Sequence, residues 1–511
     1  MIDTAPTRPG SSIIIIDGPL TPTEIAAIAA GCKVEIGASA SARITQSRAI
    51  IEAIIARGIP AYGVNTGVGA LVNTAVDGPA QRTLSRNLIL SHACGIGEPL
   101  AAAQVRAIIA AQLNNFAHGR SGVRLAVAQG LCALLNHNVI PQVPVGGSVG
   151  YLTHMAHIAL VLIGEGEAQV GGRSLSGSNA LASAGLAPLV LEAKEGLSLL
   201  NGAPCATGLG CLAWSRAHQA SDSADAVAAL TLEALGAQMA AFAEDLLALR
   251  ISPGIAASGA NLRSWLAGSR HAGAGRLQDA LSLRAIPQAH GGARDALTYV
   301  EAMLAAELCS VTDNPVVGGT IEEPVVQSEA HAVATGLAIA LDALAIAAAN
   351  LGMISERRLD RLVNPLVSGL APFLASDPGV TSGFMIAQYS AAALVGENRR
   401  LAAPASLDGG ITSALQEDYL AHPTAAAIKA LKLVENVEAI LGVELAAAAQ
   451  AHDRAVPEAA RAPGTAALHR MVRGALPAYA DDQPLSHILQ AAAGLIRRGL
   501  PGPRSADITP A

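Results

Sequence analysis

From about residue 189 to residue 450 the chain is a succession of alanine-rich runs in helical phase, broken by short polar segments. Alanine makes up roughly a fifth of the 511 residues. It has the highest helix propensity and loses no side-chain entropy on burial. Such runs fold as long helices that approach one another closely through small side chains. Aromatic residues are only 2% of the chain: two Trp, six Tyr and four Phe. That excludes a sheet protein built on aromatic and β-branched residues, and a nucleic-acid module built on stacking platforms. A hydrophobic content of 51% excludes disorder. The 33 basic residues are scattered among 40 acidic ones, for a net charge of −7, so no nucleic-acid partner is expected.

Residues 1–10 hold no apolar signal core. The most membrane-like stretch, 337–354, carries Asp342 and Asn350 and is followed by Glu356-Arg357-Arg358. A helix wholly buried in a bundle accounts for it better than a membrane span. The six cysteines form no CxxC pair and no zinc-type cluster, so buried free thiols in a reducing compartment are expected. The expectation is therefore a soluble, cytoplasmic protein with no membrane partner.

Along the chain, 12–17 reads as a short strand. Residues 20–30 begin a helix, with Thr21 or Thr23 as N-cap and Glu24 in its first turn. Further helices are expected over 48–57, 79–94, 100–118, 121–136 and 156–164, with a hairpin in 171–185. Long helices then follow at 199–212, 217–247, 293–307, 332–361, 384–400, 423–450 and 486–498. The best domain boundary lies near 190, giving an N-terminal domain over 1–190 and a helical bundle over 191–511. Long alanine-rich helices often bury surface between subunits, so a homo-oligomer is expected.

Several polar stretches stand out against this background, and loops on rigid scaffolds carry function disproportionately. Tyr62–Gly69 (YGVNTGVG) lets the backbone approach a ligand, but it is neither GxGxxG nor a phosphate loop. Pro141–His157 (PQVPVGGSVGYLTHMAH) is a small-residue turn leading into a helix, without the GxSxG spacing of a hydrolase. His154 and His157 lack an accompanying metal-ligand pattern, and no metal is expected. The others are Leu200-Asn201-Gly202, LQDALSLRAIPQ (277–288), VTDNP (311–315), TSGFMIAQ (381–388) and ITSALQED (411–418). Buried polar groups need partners. These stretches therefore serve either one shared pocket or helix capping and interhelix hydrogen bonds.

Together, and in colinear order over about residues 12–500, these blocks resemble the histidine/phenylalanine/tyrosine ammonia-lyase family. RNLILSHACGIG (86–97) and AHIALVLIGEGEA (156–168) belong to the same set. The resemblance implies a mainly α, ammonia-lyase/fumarase-like fold, with an N-terminal active-site domain and a central long-helix bundle. It also implies a homotetramer whose active sites draw on three subunits. The family's electrophile is a methylideneimidazolone (MIO) group, formed autocatalytically when an Ala-Ser-Gly tripeptide cyclises and loses two waters. No dissociable cofactor is implied.

Family members look like GSVG–ASG–DLxPLAH, whereas this sequence runs from Gly150 directly to Tyr151. The expectation is a cyclised, non-standard residue between them, which a reading in the twenty standard residues passes over. Gly150 and Tyr151 would then flank the catalytic group. Tyr62 matches the family's catalytic base, and Asn201 matches the asparagine beside the group. Arg284 matches the arginine that grips the substrate carboxylate, where a guanidinium fork suits the geometry. Gln278 matches a polar pocket residue, His331 stands at a substrate-binding position usually held by Asn, and Glu417 matches the glutamate serving the substrate's polar end. Ser91-His92 is the histidine-type selectivity pair.

Other pocket positions depart from the family. Leu281 replaces a second tyrosine, Ala332 a phenylalanine, Leu415 an asparagine, Tyr419 a histidine and Tyr151 an aspartate, while Cys309 stands where Asn is frequent. The expected activity is an ammonia-lyase acting on L-histidine or a related amino acid with a polar ring. Two alternatives stay open at this point: a 2,3-aminomutase on the same scaffold, and a catalytically silent homologue.

Overall fold

The computed structural model of the chain describes residues 13–71, 73–273, 277–407 and 409–503. It is mainly helical, with four small sheets of two or three strands among the described residues. The chain divides into two compact units. The first gathers the described residues up to Ser215 with Glu301–Asp342 and Pro404–Ile428. The second gathers Arg216–Val300, Ala343–Ala403 and the described residues from Lys429 onward. Each is discontinuous because four long helices pass from one to the other: Pro204–Ala234, Ile286–Leu308, Thr335–Val363 and Pro423–Ala455. The boundary expected near 190 falls inside the first unit.

In the first unit, strands Ile13–Ile16 and Lys33–Ile36 pair in parallel, joined through helix Pro22–Ala29. Residue 12, expected in the first strand, lies outside the described residues, as does the segment before it. The helix starts on a capping box. Thr21 Oγ1 accepts the Glu24 N–H at 3.2 Å, and Glu24 Oε2 accepts the Thr21 N–H at 2.8 Å, so two orphan donors are satisfied at once.

Helix Ala102–Ala117 runs through the interior, every residue from Val105 to Ala117 being buried. Its Arg106 is tolerated there because the carbonyls of Ile28, Leu135 and Cys32 accept from it at 2.8, 2.8 and 3.0 Å. Small residues set the spacing. A Cβ added to Gly208 would fall 2.6 Å from the Ala107 carbonyl carbon and 2.8 Å from the Ile108 nitrogen. The hairpin expected in 171–185 is Glu167–Val170 paired with Arg173–Ser176. It turns at Gly171-Gly172, both at positive φ, as a two-residue turn of this kind requires. The remainder, Gly177–Ser183, is a helix.

In the second unit, Gly254 and Gly291 bring helices Pro253–Trp265 and Ile286–Leu308 together. A Cβ on Gly254 would lie 2.9 Å from the Gly291 carbonyl carbon. Charges buried in this unit are paired. Arg358 meets Glu444 at 2.7 and 2.8 Å with both side chains fully buried, and His290 Nδ1 lies 2.8 Å from Asp225.

Two expectations are corrected. Helix Thr335–Val363 is not wholly buried: Leu337, Leu341, Leu344 and Leu351 are interior, but Ile339, Ile346 and Met353 are 51, 47 and 48% exposed. Those three recur every seven residues, so they form one stripe. The stretch His331–Val363 is long and apolar enough to cross a membrane by composition, but just over half of its most apolar window is buried in the protein. All six cysteines are thiols outside disulfides, yet only four are buried, Cys94 and Cys309 being exposed.

Candidate active site

The first unit contains a cavity of about 950 Å³. Its wall is built from the 62–71 loop, Tyr151-Leu152, the 328–333 segment and the 412–419 turn, with His92, Asn201 and Asn314 between them.

The Tyr62 loop is held by its own polar atoms. Asn65 Oδ1 accepts the Ala61 N–H at 2.8 Å and its Nδ2 donates to Ile59 O at 2.8 Å, which fixes the entry to the loop. Gly69 N–H donates to Tyr62 Oη at 3.0 Å, tying the phenol oxygen to the far end of the same loop. His92 is the last residue of helix Gly78–His92. Its Nδ1 sits 2.7 Å from Leu88 O, a pure acceptor, so Nδ1 carries the proton and Nε2 keeps a lone pair in the neutral ring. Ser91 does not line the cavity. Its Oγ donates to the same carbonyl and lies 3.1 Å from His92 Nδ1.

Glu417 is presented by an unusual turn. Ser413, Ala414 and Leu415 all have positive φ (52, 52 and 73°), and Thr412 and Glu417 close the turn through a reciprocal backbone pair at 2.8 and 3.3 Å. Left-handed backbone costs a residue with a Cβ roughly 1–2 kcal/mol, so the turn persists because its surroundings hold it. Glu417 Oε2 accepts from Tyr151 Oη at 2.9 Å and from Thr412 Oγ1 at 3.2 Å. Burial and the neighbouring Glu417 charge push the Tyr151 phenol well above its ordinary range, so it stays protonated and donates.

Asn201 caps the short helix Glu195–Leu200. It donates to Asn314 O at 2.6 Å and accepts the Gly202 N–H at 3.0 Å, which joins the LNG and VTDNP segments. Beneath them a fully buried pair, Lys194 Nζ to Asp313 Oδ2 at 3.3 Å, ties the same two segments. Burial pushes Lys194 down and Asp313 up, and each charge offsets the other's shift.

The fold thus brings Tyr62, His92, Tyr151, Asn201 and Glu417 to one cavity. His331 is not on its wall. Its ring pairs with Glu329 at 2.9 Å, and Glu329, which does line the cavity, is pushed up by burial. Gln278 and Arg284 belong to the second unit. There the Gln278 carboxamide, oriented to satisfy both groups, accepts from Arg284 Nε at 3.1 Å. Leu281, in the same segment, is 64% exposed.

Sequence reasoning did not single out Asn314, Thr412, Gln416 or Glu329 as wall residues, although Asn314, Thr412 and Gln416 sit inside the VTDNP and ITSALQED blocks. Glu329 stands two residues before His331, in a stretch where only His331 and Ala332 were picked out. His154 Nε2 lies 3.1 Å from Val145 O, and His157 Nε2 accepts the Gly95 N–H at 3.0 Å. Burial holds His157 low, as an accepting nitrogen requires. Among the described residues no group of three His, Cys, Asp or Glu is arranged to hold a metal.

The junction expected to carry the MIO group forms part of the cavity wall. Gly150 is anchored by Thr424 Oγ1, which donates to its carbonyl at 2.9 Å, and by Ser148 Oγ, which accepts its N–H at 3.1 Å. Immediately beyond, Leu152 takes φ 72°, ψ −72° at the centre of a γ-turn closed by the Thr153 N–H on Tyr151 O at 3.0 Å. That conformation is rare and strained for a residue with a Cβ. The backbone is thus tightly turned just after Gly150 meets Tyr151. The surroundings fit the group: both ends are anchored, and Tyr62, Asn201 and Glu417 share the cavity. The sequence's one Ala-Ser-Gly, 257–259, cannot supply it. It lies within helix Pro253–Trp265, where Ser258 Oγ donates to Asp225 at 2.7 Å.

Fold and site together define a helical carbon–nitrogen lyase. The family described as "Aromatic amino acid lyase" matches residues 20–474. A histidine ammonia-lyase of Sorangium cellulosum (strain So ce56) is 44% identical over 501 residues, covering 95% of this chain and 97% of that one. Among solved structures, a histidine ammonia-lyase from Trypanosoma cruzi superposes with TM-score 0.89 at 35% identity, covering 95% of this chain and 94% of that one. A tyrosine aminomutase from Streptomyces globisporus gives TM-score 0.91 at 34% identity, covering 96 and 97%. The chain belongs to the aromatic amino acid lyase family.

Proposed function

We propose that this protein is an ammonia-lyase that removes ammonia from L-histidine, or from a close relative with a polar ring, to leave the α,β-unsaturated acid. The observation that carries this reading is Glu417 and His92 on one cavity wall with Tyr62. A ring N–H can donate to that carboxylate or to the His92 Nε2 lone pair, and a ring with two N–H groups can donate to both. A phenyl ring would bring no donor to Glu417 Oε1 or His92 Nε2, at about 1–3 kcal/mol apiece.

When present between Gly150 and Tyr151, the cyclised Ala-Ser-Gly supplies an electrophile for the substrate amine. The chain's own residues do the rest. Tyr62 Oη, held by the Gly69 N–H, takes the β-proton. Asn201, fixed at both ends of its carboxamide, keeps the floor of the site in register. The Gln278–Arg284 pair grips the substrate carboxylate. In the homotetramer proposed here, another copy of the chain brings that pair to the cavity. The half-exposed stripe of Ile339, Ile346 and Met353 supports such an assembly, because contiguous apolar surface of this kind marks association sites. Free thiols at all six cysteines accord with a cytoplasmic location.

The test is an amino-acid panel with product identification, on protein whose intact mass exceeds that of the 511 residues by Ala-Ser-Gly less two waters. Release of ammonia with the unsaturated acid from L-histidine supports the reading. A mass equal to the standard residues alone overturns the cyclised group. The likeness to a tyrosine aminomutase favours a second reading, amine transfer to the β-carbon, which a β-amino acid among the products would establish.

A further inference from the structure

Lys194 stands at the head of helix Glu195–Leu200 in left-handed backbone, φ 74°, with only 1% of the residue exposed. That conformation is unfavourable for a residue with a Cβ, and taking an ammonium and a carboxylate out of water is unfavourable too. Apolar side chains in place of such a pair often leave a fold as stable or more so, so stability alone does not account for it. The segments it joins account for it better. Lys194 Nζ donates to Ser198 Oγ at 2.7 Å and to Asp313 Oδ2 at 3.3 Å, and Ser198 Oγ donates onward to Ser121 O at 2.8 Å. Asp313 is followed by Asn314, which gathers three segments. The Asn314 carbonyl accepts from Asn201 Nδ2 at 2.6 Å, and its Oδ1 accepts from the Glu329 N–H at 3.0 Å and from Ser328 Oγ at 3.1 Å. On the other side of Asp313, Thr312 Oγ1 accepts the Ala203 N–H at 3.2 Å. Asn201, Asn314, Ser328 and Glu329 all line the cavity, whereas Lys194 and Asp313 lie behind its wall.

We propose that Lys194 and Asp313 are positioning residues of the active site, which hold Asn201 in register with Asn314 from beneath without touching substrate. Apolar contact is non-directional, so a pair of apolar side chains would keep the two segments together but let them slide. A hydrogen-bonded ion pair has one favoured geometry, and away from water its attraction is strong. It therefore fixes the offset between the two segments as well as their closeness. Tolerances at a reacting centre are narrow enough for that offset to matter. This inference rests on the reading of the cavity as an active site with Asn201 beside its reacting centre. It extends that reading to two residues that act through Asn201.

The experiment uses the whole protein with the pair made apolar, Lys194→Met with Asp313→Leu, in the wild-type and Asn201→Ala backgrounds. Scanning calorimetry, steady-state kinetics with L-histidine and hydrogen exchange are measured on each. The apolar pair is expected to melt within about 4 °C of wild type. Its kcat should fall about 30-fold while KM changes by less than about threefold. In the Asn201→Ala background the same pair should lower kcat by less than about threefold further, because a residue acting through another loses its effect when that partner is altered. Hydrogen exchange over 197–205 and 311–316 should quicken at least about tenfold, with helix Ala102–Ala117 unchanged.

An unchanged kcat in the folded apolar pair overturns the proposal. So does a full loss that survives Asn201→Ala, or exchange that quickens equally along the whole chain, which would make the pair merely structural. If the apolar pair does not fold, Asp313→Asn, which keeps the shape and one acceptor, takes its place with the same outcomes at about tenfold in kcat. A wild-type protein that releases no ammonia from L-histidine defeats the reading of the cavity before any substitution is made. The exchange pattern then decides the positioning role alone: quickening confined to the two segments supports it, and uniform quickening overturns it.

Discussion

Tyr62 brings a phenol oxygen to the cavity, and its hydrogen bond from Gly69 makes it part of a closed loop rather than a swinging side chain. If that oxygen takes the β-proton, Tyr62→Phe removes the base and leaves the shape. The expected result is a fall in kcat of at least about 100-fold with KM little changed, read from steady-state formation of the unsaturated acid. Glu417 is the proposed contact for the other end of the substrate. Glu417→Gln should lower kcat/KM for L-histidine by about 10- to 100-fold, the cost of weakening a hydrogen bond to a charged group. These residues were legible in the sequence because their blocks are local and ordered: YGVNTGVG carries Tyr62, LNG carries Asn201 and ITSALQED carries Glu417. Glu329 was not legible. It lies in SEAHAV (328–333), where His331 and Ala332 drew the attention, and only the fold brings it beside Asn314.

Elements were legible where their ends carry chemistry. Thr21, one of the two N-cap candidates, caps its helix together with Glu24, and helix Ser486–Arg498 has the bounds expected for it. Inside alanine-rich runs the signal fails. Two helices were expected over 199–212 and 217–247, but one helix runs Pro204–Ala234. Its real stop is Gly236 in left-handed backbone, with the Ala237 N–H reaching back to Leu232 O. Helix Pro253–Trp265 was missed although Ser252 caps it and proline opens it. The left-handed turn at 413–415 contains no glycine, so no residue there announced it.

Close helix packing also gives a stability prediction. Gly208→Ala puts a methyl into the backbone of the helix carrying Ala107, and should cost about 1–3 kcal/mol in urea unfolding. Glu307, on helix Ile286–Leu308, has its carboxyl pushed up to about 7 by burial, and its Oε1 finds no partner. The folded state then holds a proton that the unfolded state releases from about pH 4.5 upward, so stability falls as pH rises through that window. Glu307→Gln should raise the melting temperature at pH 8 and leave it nearly unchanged at pH 4, as scanning calorimetry at both values would report.

At the scale of the whole molecule, the two units are threaded by four shared helices, a discontinuity that no composition shift along the chain betrays. The apolar stripe on helix Thr335–Val363 is the surface that the proposed tetramer would cover. Ile346→Glu should therefore shift the sedimentation profile toward smaller species and lower activity with it. The scarcity of aromatics serves packing and pocket alike. Small side chains let helices such as those of Gly208 and Ala107 touch, while the cavity wall holds Ala332 where relatives' patterns led us to expect an aromatic ring.

The central claim is that this cavity eliminates ammonia from an amino acid whose ring it recognises through Glu417 and His92. The direct measurement is product analysis after incubating the purified protein with L-histidine. The account predicts ammonia and the α,β-unsaturated acid in equal amounts. A β-amino acid without ammonia, or no turnover by protein whose mass carries the cyclised residue, would contradict it.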